Sequence, residues 1–191
     1  DKNKKIKYQE NLKTIQKQIK QIENLVNEFS DFARMPKPLL KKNNIHEVIS
    51  ENINLLNKID SNIKIKLVNH LSKDQNANFD YEQFNRLFFN LIKNSIESIQ
   101  EKSQKDSKID KNIDIEIRSK GDYIIINLFD TGIGFKNKNT KDLIKPYFTT
   151  KEKGTGLGLS IVDKIISDHN GSINFLNQKN GAKIQIIIPN K

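Results

Sequence analysis

The sequence predicts an α+β protein, a two-layer α/β sandwich preceded by one long amphipathic helix. Three observations carry this. Five segments alternate or run apolar at strand length, three others repeat apolar residues at helical spacing, and the first 35 residues hold an unbroken heptad seam. One mixed sheet covered by helices on a single face is the packing that buries both kinds of surface.

In chain order, the seam comes first. Tyr8, Leu12, Ile15, Ile19, Ile22, Val26, Phe29 and Ala33 step by four and three without a slip, as in a coiled coil or helical bundle. Leu25 and Phe32 widen the stripe beyond a two-stranded seam and favour a four-helix bundle, most simply completed by a second copy of the chain. Met35-Pro-Lys-Pro38 ends this helix, because proline removes a donor and restricts its predecessor. The organisation expected is therefore a helical arm over 1–35, a linker over 36–44 and a globular domain over 45–191.

Within that domain, helices are expected over 46–58, 80–100 and 157–169, and strands over 62–68, 113–118, 123–129, 172–176 and 183–188. Residues 100–112 read as a polar loop, and Gln178-Lys-Asn-Gly181 as a hairpin turn.

The chemistry concentrates in two glycine clusters. Gly154, Gly156 and Gly158 stand at alternate positions in Lys145-Pro-Tyr-Phe-Thr-Thr-Lys-Glu-Lys-Gly-Thr-Gly-Leu-Gly-Leu-Ser160. Without Cβ atoms, such a backbone approaches a polyphosphate closely. The helix that follows offers its free N–H groups and positive dipole end to the same anion. Asp130-Thr-Gly-Ile-Gly134, beginning fifteen residues before Lys145, sets a carboxylate beside two glycines, able to accept a hydrogen bond deep in a pocket that a bulkier turn would block. A P-loop is excluded because Leu159 and Ser160, and no lysine, follow the last glycine. A dinucleotide fingerprint is excluded because the third glycine falls one place early and a lysine-rich polar segment precedes it.

The helix over 80–100 carries a second signal. Phe84, Leu87, Phe88, Leu91, Ile92, Ile96 and Ile99 form its buried stripe, while Asn90 and Asn94 sit one turn apart on a shared face. Two readings stand here. The amide oxygens ligate a hard cation such as Mg²⁺, or the pair belongs to a solvated face of a chain already rich in Asn and Lys.

Taken in order, Asn90-Leu-Ile-Lys-Asn94, Asp130-Thr-Gly-Ile-Gly134, Lys145-Pro-Tyr-Phe-Thr-Thr150, Gly154-Thr-Gly-Leu-Gly158 and Asn180-Gly-Ala182 resemble the N, G1, F, G2 and G3 boxes of sensor histidine kinases, members of the gyrase, Hsp90, histidine kinase and MutL superfamily. The resemblance covers roughly residues 45–190. Phe29-Ser-Asp-Phe-Ala-Arg-Met-Pro-Lys-Pro38 further resembles nitrogen-regulation sensors of the NtrY type. It implies a Bergerat-type ATP-binding fold, with residues 1–35 as the second helix of a dimerisation and phosphotransfer hairpin.

The resemblance also implies roles. Asp130 accepts from the adenine amino group, and Gly132 and Gly134 admit the flat ring. Asn94 ligates Mg²⁺, and Asn90 stands near the phosphates or the metal's waters. Lys153, Gly154, Thr155, Gly156, Leu157 and Gly158 line the triphosphate. Phe148 and Tyr147 pin a lid by packing, or simply belong to the core. Ser95 stands where the family more often has alanine, a small departure. The segment between Gly134 and Gly154 corresponds to the ATP lid, with lysines at 136, 138, 141, 145, 151 and 153 against Asp142 and Glu152.

A phosphoacceptor histidine is not expected among His46, His70 and His169. His46-Glu47 follows the Pro-Lys-Pro stretch and lacks the kinking proline, and His169-Asn-Gly171 reads as a helix end. The expected activity is therefore protein histidine kinase, exercised on a histidine outside these residues. Two alternatives remain open, a serine kinase or ATPase of the same superfamily and a dimeric interaction module with a decayed nucleotide site.

Composition fits this picture. Zero cysteines exclude disulfides and thiolate-held metals and suit a reducing cytoplasm. No apolar run approaches the roughly 18 residues of a membrane span, and no signal peptide is read at the N-terminus. The resemblance implies a membrane-anchored parent with a cytoplasmic kinase region, a homodimer through the first helix, and a response regulator as partner. The net charge of +10 comes with eleven Lys/Arg against five Asp/Glu over residues 1–45. Without zinc-knuckle spacing or an aromatic–basic motif, it reads as compositional bias, and nucleic acid is not an expected partner.

Overall fold

A computed structural model describes residues 2–71, 76–136, 140–149, 151 and 154–190. The first helix, α1 (Lys2–Ala33), carries the heptad seam. Its seam residues from Tyr8 to Phe29 are exposed among the described residues. Arg34 makes the last helical hydrogen bond, to the Ser30 carbonyl, before Pro36.

The following segment is more structured than a linker. Strand β1 (Lys41–Asn43) pairs antiparallel with β3 (Ala77–Phe79), forming a second, two-stranded sheet that no periodicity in so short a run revealed. Gln83 donates to the Pro36 carbonyl at 3.0 Å. The Asp80 carboxylate takes two N–H groups, from Gln83 as helix cap and from Leu39 at 2.7 Å. One carboxylate therefore starts a helix and anchors the incoming chain.

Helix α2 (Ile45–Leu56) is capped by the Asn44 side chain, which accepts from the His46 N–H. Then come β2 (Lys64–Asn69), α3 (Tyr81–Lys105), β4 (Asn112–Lys120), β5 (Tyr123–Asp130), α4 (Gly158–Asp168), β6 (Ser172–Gln178) and β7 (Gly181–Pro189), with a 3₁₀ turn at Thr140–Ile144. Helix α3 runs on to Lys105, a full turn into the stretch read as polar loop. Lys102 accounts for part of this extension, since its Nζ donates to the Thr131 carbonyl at 2.9 Å.

The main sheet has the order β2-β4-β5-β7-β6, with β2 parallel to β4 and the other pairs antiparallel. Alternate residues Ile113, Ile115 and Ile117 of β4 and Ile184, Ile186 and Ile188 of β7 are buried, and pack in one core with Phe84, Leu87, Phe88, Leu91 and Ile92 of α3 and Ile161, Val162 and Ile165 of α4. Asp114 and Arg118, which point to the other face of β4, are exposed, as period-two alternation requires. The architecture is the predicted α/β sandwich, with the helices forming its second layer.

Helix α4 ends in a Schellman motif. The Gly171 N–H bonds the Ile166 carbonyl and the Asn170 N–H bonds that of Ser167, with Asn170 in the left-handed region at φ 56°. The left-handed residue is thus Asn170, with Gly171 following it. His169 is buried at this end. Its Nε2 accepts from the Asp80 N–H at 3.0 Å, so Nδ1 carries the proton and donates to the Ile165 carbonyl at 2.7 Å. Nε2 ties the end of α4 to the start of α3, and Nδ1 fixes the ring on its own helix.

Candidate functional site

Three elements meet above the apolar stripe of α3. The face it turns away from the core carries Asn90, Asn94, Glu97, Ser98 and Glu101 at helical spacing, and Ser95 is buried beside them. The end of β5 brings Asp130, and the loop before α4 brings the glycines.

Asp130 is 6% exposed, rare for a carboxylate and costly unless its oxygens are satisfied. Oδ1 accepts from the Gly132 N–H at 2.9 Å, and Oδ2 accepts from the Ser95 hydroxyl at 3.2 Å. Loss of hydration pushes its pKa up, and this outweighs the Gly132 N–H, the Ser95 hydroxyl, the Ala182 N–H and the Lys102 charge, which pull it down.

Gly132 needs its lack of a side chain, because a Cβ there would lie 2.1 Å from Ser98 Oγ and 2.9 Å from Asp130 Oδ1. The same Ser98 hydroxyl accepts from the Ile133 N–H at 3.1 Å and holds the turn against α3. Gly134 is flanked by Asn177, whose amide exchanges two hydrogen bonds with the Phe135 backbone.

The second glycine cluster lies further along the same face of α3, beside Asn90 and Asn94. Gly158 opens α4 facing both asparagines, since a Cβ on it would be 3.5 Å from Asn90 Oδ1 and 3.8 Å from Asn94 Nδ2. Gly156 has φ +72°, and a Cβ there would be 2.5 Å from the Tyr147 carbonyl carbon. That tight crossing also holds Tyr147 at φ 66°. Gly154 donates its N–H to the Lys151 carbonyl at 3.2 Å.

The Leu157 side chain is buried in the core, so only its backbone faces the loop. Phe148 is partly buried against the core, in keeping with the packing reading. The Thr155 hydroxyl donates to the Glu28 carboxylate of α1, and Phe29 stacks on Tyr147 at 6.3 Å between ring centroids. The glycine loop thus touches the helical arm. Lys153 lies outside the described residues, as do Lys138 and Thr150.

Sequence reasoning missed Glu97 and Ser98, and did not single out Lys151 among the lysines of its segment. Lys151 Nζ lies 2.5 Å from Glu97 Oε2 and 3.3 Å from Asn94 Oδ1. Glu97 and Ser98 fall three and four residues after Asn94, so helical spacing could have placed them on the same face. No local signal separated Lys151 from the other lysines of its segment.

The arrangement suits a purine nucleotide and one hard cation. A buried carboxylate bordered by a glycine turn offers an acceptor for an exocyclic amine, and a helix N-terminus beside two amides offers donors to phosphate. A cation already rests on the Asn94 amide oxygen, in the form of the Lys151 ammonium. Among the described residues no cluster of three or more His, Cys, Asp or Glu could hold a metal by itself. A magnesium ion here would therefore rely on phosphate oxygens and water besides Asn94.

The profile of the histidine kinase-, DNA gyrase B- and HSP90-like ATPase family matches residues 79–191. Nitrogen regulation protein NtrY of Azorhizobium caulinodans is 34% identical over 160 residues, covering 84% of this chain and 20% of that protein. This chain thus spans about a fifth of the length of that relative. The nucleotide-free catalytic domain of histidine kinase ThkA superposes with a TM-score of 0.68 at 26% identity, over 79% of this chain and 95% of that one. Histidine kinase ThkA in complex with the response regulator protein TrrA gives 0.73 at 22% identity, over 93% of this chain and 50% of that one, a likeness of fold.

Proposed function

This chain belongs to the histidine kinase-, DNA gyrase B- and HSP90-like ATPase family, and on that footing we propose that it is the ATP-binding kinase part of a dimeric sensor histidine kinase. The reaction is transfer of the γ-phosphoryl group of Mg·ATP to a histidine, for relay to a response regulator. One observation carries the reading: the buried Asp130 carboxylate and the Asn90–Asn94 pair flank the same stretch of α3, with the N-terminus of α4 at Gly158 facing the two amides.

Asp130 accepts from the adenine amino group, its orientation held by Ser95 and the Gly132 N–H. Gly154, Thr155, Gly156, Leu157 and Gly158 present backbone to the triphosphate, and Asn94 is the side chain for the metal, with Asn90 beside it. Bound magnesium would offset phosphate charge during transfer, in a reaction that relies on positioning and electrostatics. No histidine of this chain serves as acceptor in this reading. His169 is spent on structure, His46 lies in the first turn of α2, and His70 lies beside Glu116. The acceptor is a histidine outside these residues.

The exposed seam of α1 supports a homodimer through that helix. A response regulator partner is supported by ThkA, whose complex with one shares this fold. Membrane anchoring of the parent rests on the likeness to NtrY. Among the described residues no helix is long and apolar enough to cross a membrane.

Calorimetric titration of ATP, with and without Mg²⁺, tests the site. Binding should be saturable, lost in Asp130→Asn, and stripped of its Mg²⁺ dependence in Asn94→Ala. Absence of binding by the unaltered chain would refute the reading.

A further inference from the structure

Lys151 is held at both ends. Its N–H donates to the Thr149 hydroxyl at 3.1 Å, and its carbonyl accepts from the Gly154 N–H at 3.2 Å. The root of the side chain is therefore set between the Phe148 segment and the glycine loop. Its side chain, about one-third exposed, brings the ammonium over α3 to Glu97 and Asn94. Lys136 and Lys145, from the same lysine-rich segment, instead pair with Glu101 and Asp142.

An ammonium has three donors. Among the described residues Glu97 and Asn94 take two, which leaves a third for an incoming acceptor. The amide oxygen it occupies is the one assigned above to the metal, so ammonium and metal cannot share it. A triphosphate brings several negative oxygens to this position against the single carboxylate of Glu97, and charge-assisted bonds to phosphate are strong.

We propose that Lys151 is the phosphate-binding cation of this site, parked by Glu97 on the Asn94 amide oxygen until a nucleotide triphosphate takes over its ammonium and leaves that oxygen to the metal. The proposal rests on the nucleotide-site reading and adds a residue to it. An ordinary surface ion pair would contribute little and would have no bearing on ligand affinity.

The test is binding of Mg·ATP and of adenosine to the whole chain, followed by calorimetry for ATP and by amide chemical shifts for the weaker nucleoside. Lys151→Met is expected to raise the Kd for ATP about 10-fold or more, as for loss of a hydrogen bond between charged groups, while leaving adenosine binding unchanged. Lys151→Arg should recover part of the ATP affinity. Circular dichroism and the amide spectrum without ligand confirm that each variant is folded. Unchanged ATP affinity in Lys151→Met overturns the proposal, and so does an equal loss for ATP and adenosine, which would mark a structural role. If the unaltered chain binds adenosine and ATP while Lys151→Met matches it, only the lysine's role fails. If it binds neither, the nucleotide-site reading fails first.

Discussion

The Ser95 hydroxyl on α3 donates to Asp130 Oδ2 at the end of β5 across 3.2 Å, joining the helix layer to the sheet inside the candidate pocket. Ser95 is 2% exposed, so the bond is made out of water. A position where the family more often has alanine thus carries the side-chain partner of the carboxylate, and its identity matters more than the residue swap alone implied.

Ser95→Ala is therefore expected to cost about 1 kcal/mol of stability, or up to about 3 if the bond to the charged form dominates. Removing a donor that favours the carboxylate should also move the Asp130 pKa further upward. Thermal denaturation checks the first effect, and carboxyl-carbon NMR titration of Asp130 checks the second.

Asp130→Asn separates stability from binding. Because burial raises the folded pKa of Asp130 above 3.8, the folded chain takes up a proton that the unfolded chain has already released. Its contribution to stability is full below pH 3.8 and is lost as pH rises through the folded value. At pH 7 the variant should be at least as stable as the parent, yet should not bind ATP. A pH series of chemical denaturation should show the gap between the two proteins shifting in the variant's favour from about pH 4 upward. A variant destabilised at pH 7 would mean that the carboxylate's hydrogen bonds outweigh its burial.

Gly156→Ala places a Cβ at φ +72° against the Tyr147 carbonyl carbon. The left-handed conformation alone costs about 1–2 kcal/mol, and the backbone of one segment must move as well. Nucleotide affinity is expected to fall by an order of magnitude or more, roughly the effect of 1.4 kcal/mol. The β-sheet amides should keep their hydrogen-exchange protection. Unchanged affinity would show that the loop does not face the ligand.

Ile19→Lys tests the arm. Ile19 is 59% exposed in the middle of the seam, so the substitution removes nothing from the core of the single chain. Sedimentation velocity should show the parent as a dimer and the variant as a monomer, with the ATP site intact in both. A parent that remains monomeric at high concentration would remove the support for dimerisation through α1.

Much of this molecule was legible beforehand because its elements obey simple periods. The stripe on α3, from Phe84 to Ile99, follows helical spacing and is buried as that spacing requires. The Gln178–Gly181 hairpin forms with its two-residue loop. The short β1–β3 pair was hidden, since three residues carry no usable period. The extension of α3 to Lys105 was hidden too, because polar residues neither forbid a helix nor announce one, and the Lys102–Thr131 bond that ties it down is long-range.

The sequence by itself determined the sandwich, the order of its elements and the main candidate side chains, Asp130, Asn90, Asn94 and the glycines, because each lies in a local pattern with a physical meaning. Tertiary structure alone decided how they are served. The union of Ser95 with Asp130 spans 35 residues, that of Lys151 with Asn94 spans 57, and that of Thr155 with Glu28 spans 127. No spacing rule reaches so far. Which lysine among several meets the amide, and which hydroxyl meets the buried carboxylate, depends on how the sheet and helices pack against each other, and that is settled by the core as a whole.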